Sequence, residues 1–251
     1  MGVKTLDIII PTWNNQQFLN PCLSSIVATG VLNDGHTQVL VVNNGDQPVE
    51  KDVEGVKGIV VLNPGENLGW EGGLEYALKY SKSEFVCFQN DDTHIPNAAQ
   101  KDFYQRLMSH FDDPKKKIGA VGPATTVAAG YHSIFRNFLE EPMEVAFLIF
   151  FTVMLKRSIL DEVGGVDKTL PGGDDLDVSL RLHKAGYKTI IDPAAFIVHH
   201  AFQTGTRVRG GPETKGGWNS QEMTDRTNIA LIKKHGFRPF IEMLLGGKVP
   251  E

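Results

Sequence analysis

The sequence predicts an α/β fold: a mostly parallel central sheet with helices on both faces, in a single domain over residues 1–251. Three observations carry this. Short apolar runs rich in Val, Ile and Phe alternate with stretches of helical spacing, the pattern of β-α-β units. The first four runs each lead into a loop rich in Asn, Asp or Gly, so these loops gather at the sheet edge where open α/β sheets bind ligands. Composition agrees, since 41% hydrophobic and 22% charged residues over 251 positions are values that allow a sizeable core.

Taken in order, Leu6–Ile10 reads as a buried strand stopped by Pro11, followed by a polar loop through Asn15. Phe18, Leu19, Cys22, Leu23 and Ile26 then recur at helical spacing. That helix starts either there or at Asn20-Pro21, a cap followed by Pro in the first turn. Val39–Val42 and Ile59–Leu62 are the second and third strands, and a glycine-rich turn over Asn63–Gly73 opens a helix around Leu74–Tyr80. Phe85–Gln89 is the fourth strand. Pro96–Phe111 reads as an amphipathic helix and Ile118–Pro123 as a short strand. Thr125–Pro142 has little periodicity, and Val145–Leu155 is an apolar run expected to form one buried strand. Ser158–Val163 gives one or two helical turns closed by Gly164-Gly165. Leu176, Leu180, His183 and Tyr187 stripe a strong helix ending near Gly186. Thr189–Ile191 and Ala195–Val198 are the last strands. Gly205–Gly217 reads as a mobile loop carrying Arg207, Arg209 and Lys215, and a helix from Gln221 to His235 follows.

The net charge of −5 comes without a basic stripe for nucleic acid or a charged tail for a membrane surface. Cys22 and Cys87 lie in apolar segments, which fits two buried thiols in a reducing compartment. No signal peptide is evident, and the longest apolar run, Val145–Leu155, is too short to span a bilayer. A cytoplasmic location with no transmembrane segment is the expectation.

Chemistry concentrates at the strand ends. Phe85–Gln89 runs straight into Asn90-Asp91-Asp92, and packed carboxylates repel unless something neutralises them. A hard divalent cation shared with substrate phosphates does this, whereas a plain polar turn is the competing explanation. Asp174, Asp175 and Asp177 crowd the start of a helix, more acids than capping needs. His199-His200 follows the last strand, where metal ligation competes with a satisfied core histidine.

In sequence order these stretches resemble glycosyltransferase family 2, whose members are inverting enzymes with the Rossmann-like GT-A fold that use nucleotide-diphospho-sugars. The resemblance runs from about Leu6 to His200 and is nearest to the rhamnosyltransferase-like bacterial branch. It rests on Ile10–Asn14, Val42–Gly45, Glu66–Gly73, Gln89–Thr93, Gly119–Pro123, Val163–Asp167, Gly173–Arg181 and Val198–His200. Each motif is weak alone, and eight in order are specific.

The resemblance implies a nucleotide-binding half over residues 1–123 and an acceptor-binding and catalytic-base half over 124–251. Asn90-Asp91-Asp92 matches the family's Asp-x-Asp motif with Asn in the first slot. Asp92 is then the direct ligand of Mn²⁺ or Mg²⁺, with His199 completing the metal site and His200 as the alternative. Asn90 and Asp91 fall to the nucleotide. So do Pro11, Thr12 and Trp13 beside base and ribose, Asn67 and Gly69, and Asn43. Most members have Asp where Asn43 stands, accepting the N3–H of uracil or thymine, so this departure leaves the base open although a UDP- or dTDP-sugar is the expected donor. Asp175 matches the catalytic base, with Asp174 positioning beside it and Asp174 and Asp177 raising its pKa as neighbouring charges.

Two other classes compete. A sugar nucleotidyltransferase on a related fold needs an N-terminal basic Gly-rich loop, which Leu6–Asn15 lacks. A sugar-nucleotide-binding protein without catalysis would be expected to lose Asp92 or Asp175, and both are present. The expected acceptor is a glycan or glycoconjugate, chosen by Thr125–Thr152 and Gly205–Gly217; a nucleic-acid acceptor stays open.

Overall fold

The computed structural model describes residues 3–49, 53, 55–99, 101–128, 131–133, 140–201 and 220–246. Strands β1 (Leu6–Thr12), β2 (Thr37–Asn43), β3 (Ile59–Leu62) and β4 (Phe85–Gln89) form a parallel block in the order β3-β2-β1-β4. Beyond β4 the sheet becomes mixed. β8 (Thr152–Lys156) lies antiparallel to β4 and to β6 (Ile118–Thr125), and β9 (Lys188–His199) runs parallel to β6. Two short strands finish it: β5 (Thr93–His94) and β7 (Met143–Val145) both pair antiparallel with β9.

The strands alternate their apolar side chains between two cores, as the period of two requires. Ile8 and Ile10 join Leu19, Cys22 and Ile26 of α1 (Gln16–Ala28) and Phe103, Tyr104 and Leu107 of α3 (Phe103–Ser109) on one face. Ile9, Leu40 and Val42 join Leu74 and Ala77 of α2 (Gly69–Leu78), Leu160 of α4 (Arg157–Glu162) and Val178 and Leu182 of α5 (Asp174–Lys184) on the other. A third cluster, Leu180, Leu231, Phe240 and Met243, fastens α6 (Gln221–His235) and α7 (Phe237–Leu244) to α5. Among the described residues no helix is long and apolar enough to cross a membrane.

Several elements differ from the sequence expectation. β1 runs through Pro11 to Thr12, because β2 pairs alongside it as far as Asn43. Helix α1 begins at Gln16 and carries Pro21 inside it, so Asn20-Pro21 is not its start. The expected helix over Pro96–Phe111 shortens to α3, behind a 3₁₀ turn at Asn97–Ala99. Residues 146–151 are irregular rather than strand, although Leu148, Phe150 and Phe151 are buried. The NH of Leu148 is taken by Ser179 Oγ and the NH of Ile149 by His132 Nε2, which replaces the sheet's hydrogen bonds. The two final strands are one, β9, interrupted by a register shift that accommodates Pro193, which has no N–H to give the ladder. Gly205–Gly217 lies outside the described residues, as does most of 129–139.

Candidate active site

The parallel strands deliver their loops to one edge, and the loops are tied together by side chains. Asp91, buried after β4, accepts a hydrogen bond from Thr12 Oγ1 at 2.6 Å and one from Asn15 Nδ2 at 2.9 Å. This spends Asn15's amide on Asp91, and the N-cap of α1 has no side-chain bond. Asn14 Oδ1 accepts from the Gln47 NH at 3.0 Å, joining the loop after β1 to the loop after β2. Asn44 Oδ1 accepts from the Leu68 NH and Asn44 Nδ2 donates to the Gly69 carbonyl, joining β2 to the glycine-rich turn. Asn67 Oδ1 accepts from the NH of Gly69, whose φ of +71° suits glycine. Gly73 lets α2 approach Pro11, since an added Cβ would stand 3.1 Å from the proline ring. The predicted nucleotide residues Pro11, Thr12, Asn43, Asn67, Gly69 and Asp91 therefore share one interlocked edge. Asn43 is saturated from within: its amide donates to Gln47 O and Asn63 Oδ1, and its oxygen accepts from the Gly45 NH.

Below that edge, β5 pairs with the end of β9 so that Thr93 lies opposite His199. His199 Nδ1 meets the Val127 carbonyl at 2.8 Å, which places the ring proton on Nδ1 and leaves Nε2 to accept. That nitrogen lies 3.4 Å from Asp92 Oδ1 and 3.3 Å from Asn90 Nδ2. Asp92 Oδ1 is buried and has no hydrogen-bond partner among the described residues. An orphaned carboxylate oxygen facing an imidazole lone pair is a cradle for a cation. Two protein ligands with an amide beside them suit an ion that also takes diphosphate oxygens and water; among the described residues no group of three His, Cys, Asp or Glu could hold a metal. Phe151 stacks on the His199 ring at 5.0 Å and 19°, and His132 meets Phe151 edge-on. His200 turns instead to His94, with its Nε2 3.2 Å from His94 Nδ1, and to Phe18. Behind the motif, Gln89 donates to Cys22 Sγ and Thr93 Oγ1 and accepts from the buried Tyr104 hydroxyl.

The second acidic group sits at the start of α5. Gly173 there has φ +76°, and an added Cβ would stand 2.8 Å from Thr227 of α6, so only glycine fits. Asp174 is buried and its Oδ2 accepts from Trp70 Nε1 at 3.0 Å, a bridge from the glycine-rich turn to the second half of the chain. Burial, then the charges of Asp175 and Glu71, push Asp174 well above the usual carboxylate range, and the Trp70 N–H offsets part of this. Asp175 is pushed up to about 6, first by burial and also by Glu71, against the Leu176 NH that it accepts at 2.8 Å. Asp177 behaves oppositely. Burial alone would raise it, but hydrogen bonds from His235, Arg181 and Lys234 hold it well below the usual range. The expected push of Asp177 on Asp175 is therefore replaced by that of Glu71. Arg181 also donates to the Val163 and Gly165 carbonyls, so one guanidinium fixes the Gly164-Gly165 turn to α5.

Sequence reasoning missed Asn15, Trp70, Glu71, Phe151, Lys234 and His235. Trp70 and Glu71 lie inside a motif whose glycines drew the attention. Nothing in the sequence pairs His235 with Asp177 across 58 positions.

Comparison with known proteins agrees with this geometry. The family model described as glycosyl transferase family 2 matches residues 7–164. A pre-mycofactocin glycosyltransferase of Mycobacterium tuberculosis is 24% identical over 212 residues, covering 78% of this chain and 43% of that protein. The chain thus spans less than half the length of that relative. Among solved structures, a mannosyltransferase from Pyrobaculum calidifontis in complex with GDP-Man and Mn²⁺ superposes with a TM-score of 0.69 at 18% identity, covering all of this chain and 67% of that one. GalNAc-T7 with UDP, GalNAc and Mn²⁺ gives 0.64 at 11% identity, over 79% of this chain and 44% of that one. The fold is the α/β, Rossmann-like GT-A fold, and over more than half its length the chain belongs to glycosyltransferase family 2.

Proposed function

We propose that the protein is a metal-dependent inverting glycosyltransferase that moves a sugar from a nucleotide-diphospho-sugar to an acceptor hydroxyl on a glycan or glycoconjugate. The observation that carries this reading is the Trp70–Asp174 bond, which brings the turn at the nucleotide edge against the carboxylate pair. Residues 1–123 hold the nucleotide and 124–251 supply the acceptor side and the base. Pro11, Thr12, Trp13 and Asn43 receive base and ribose, and Asn67, Gly69, Asn90 and Asp91 frame the rest of the nucleotide. Asp92 and His199 would hold Mn²⁺ or Mg²⁺, which when bound offsets charge growing on the departing nucleoside diphosphate. Asp175 takes the proton of the acceptor hydroxyl as its oxygen bonds to the anomeric carbon and the sugar–phosphate bond breaks. Attack from that side inverts the anomeric centre. Asp174, held by Trp70, positions the pair; burial pushes it well above the usual carboxylate range and pushes Asp175 up to about 6.

A UDP- or dTDP-sugar is the donor we favour, and the GDP-Man bound to the archaeal neighbour makes a guanosine donor the main competitor. The test is nucleoside diphosphate release from UDP-, dTDP-, GDP- and CDP-sugars with Mn²⁺, Mg²⁺ or EDTA. Release with one donor class, abolished by EDTA and giving a β-linked product from an α-linked donor, is expected. Release from no donor, equal release in EDTA, or a retained anomer overturns the reading.

A further inference from the structure

We propose that the cleft between α2 and the 163–169 turn is a subsite for an uncharged sugar unit of the acceptor. The inference rests on the glycosyltransferase reading and names where a second glycan unit would sit. The cleft has a volume of about 400 Å³ and is lined by Glu75, Gly164, Asp167, Lys168, Thr169 and Lys234 among others. That is within the range of small-molecule clefts, roughly 300–1,000 Å³.

Its position follows from α2. Glu71 acts electrostatically on both Asp174 and Asp175. Glu75 lies one turn further along the same helix face, a rise of about 5.4 Å. The proposed subsite sets the next unit of a chain that presents its hydroxyl to Asp175 over Glu75.

The chemistry of the lining selects the class of ligand. Lys168 Nζ lies 2.7 Å from Glu75 Oε2, and Lys234 Nζ lies 2.6 Å from Asp167 Oδ2. Thr169 Oγ1 donates to Asp167 Oδ1 at 2.6 Å, and Arg181 is matched by the buried Asp177 behind it. Every cation of the lining therefore has an acid beside it. A phosphate or an ammonium group finds no unmatched opposite charge in this lining. Sugar hydroxyls can instead donate to the carboxylates and accept from the ammonium groups without displacing either. The hydrogen bonds from Lys234 and Thr169 hold Asp167 down at about 2, so this carboxylate stays ionised throughout the neutral range. Arg181 fixes the turn through the Val163 and Gly165 carbonyls, and the two glycines leave its rim without side chains. Lys168 and Glu75 are 56% and 37% exposed, so the polar groups can be reached.

The experiment is binding of the labelled protein to an array of neutral, anionic and amino-bearing oligosaccharides. It uses wild type, Glu75→Gln, Lys168→Met and Glu84→Gln, with thermal melts to verify folding. Retention on neutral oligosaccharides is expected, about tenfold weaker for Glu75→Gln and for Lys168→Met because each removes hydrogen-bonding groups from the cleft. Glu84→Gln, at the exposed Lys156 pair outside the cleft lining, should bind as wild type. Retention of no neutral glycan, retention only of charged glycans, or Glu75→Gln and Lys168→Met proteins that bind as wild type overturns the subsite. Failure of the enzyme reading is read separately, as no nucleoside diphosphate released from any donor.

Discussion

The two acidic clusters of this protein, Asp91-Asp92 after β4 and Asp174-Asp175-Asp177 at the head of α5, solve the same problem in different ways. In each, one carboxylate is fully satisfied and serves as a fastener: Asp91 holds the loop after β1 through Thr12 and Asn15, and Asp177 holds α6 through Lys234 and His235. In each, a neighbour is left in tension. Asp92 keeps an orphaned oxygen 3.4 Å from His199 Nε2, a tension that the proposed cation would relieve. Asp174 and Asp175 have no ion-pair partner among the described residues, and burial pushes both above the usual carboxylate range. The contrast teaches that adjacent acids in one motif divide into those tied into the scaffold and those left without a full set of partners.

The contrast breaks if the members of a cluster respond alike to neutralisation. The largest effect is expected at Asp175. Asp175→Asn should lower kcat by about 10²–10⁴-fold with donor affinity nearly unchanged, as the proposed base role requires. Wild-type kcat should rise with pH through about 6, the value to which burial and Glu71 push Asp175. Stability should run the other way. Because the folded pKa lies above the unfolded value of about 3.9, the unfolded chain ionises first, and stability falls as pH rises from about 4 to about 6 before levelling. Asp175→Asn should therefore raise the melting temperature at pH 7, and a variant that melts lower there would show that the carboxylate is not strained.

Asp177→Asn comes next and has the opposite sign. It leaves Arg181, Lys234 and His235 facing an uncharged group and should cost about 3 kcal/mol in denaturant unfolding, the scale of a broken buried ion pair. A loss under about 0.5 kcal/mol, typical of a surface change, would remove Asp177 from the fastening role. The pair in the other cluster divides the same way on a smaller scale. Asp91→Asn should destabilise by about 1–3 kcal/mol. Asp92→Asn should leave the metal-free protein as stable or slightly more so, because the new amide can donate to His199 Nε2. The same Asp92→Asn change should abolish the effect of Mn²⁺ on donor affinity, measured by calorimetry with and without the metal.

The smallest effect is expected at Asn43. Its amide donates to the Gln47 carbonyl and to Asn63 Oδ1. Asn43→Asp would set a carboxylate oxygen against the Gln47 carbonyl, so all nucleoside diphosphates should bind about 1–2 kcal/mol more weakly without a change in their order. A switch towards uridine or thymidine would show that this position reads the base directly.

Much of this architecture was legible in the residues. The four parallel strands are continuous apolar runs closed by turn residues, which is what a strand buried on both faces requires. The motifs at their ends predicted which loops meet. What stayed hidden is long-range or ambiguous by nature. Residues 146–151 are as apolar as a strand, and only the hydrogen bonds of Ser179 and His132 decide that they are not one. β5 is two residues long and exists because β9 arrives beside it. Helix α7 had a signal that could have been read, with Phe237, Phe240, Ile241 and Leu244 at helical spacing. Trp70 as the partner of Asp174 had none.

The docking of β9 beside β5 also governs when the site can exist. Asn90 and His199 are 109 positions apart, and the ring of His199 reaches Asp92 only once β9 has zipped along β6 and turned its last residues onto β5. Closing so long a loop is among the slow steps of assembly, because its entropy must be lost before the contacts form. A chain with β1 to β4 already folded would carry the carboxylates and still lack the nitrogen opposite them. The proposed metal-dependent donor binding would thus signal completed folding, and in a refolding experiment it should appear after the sheet's first half has formed.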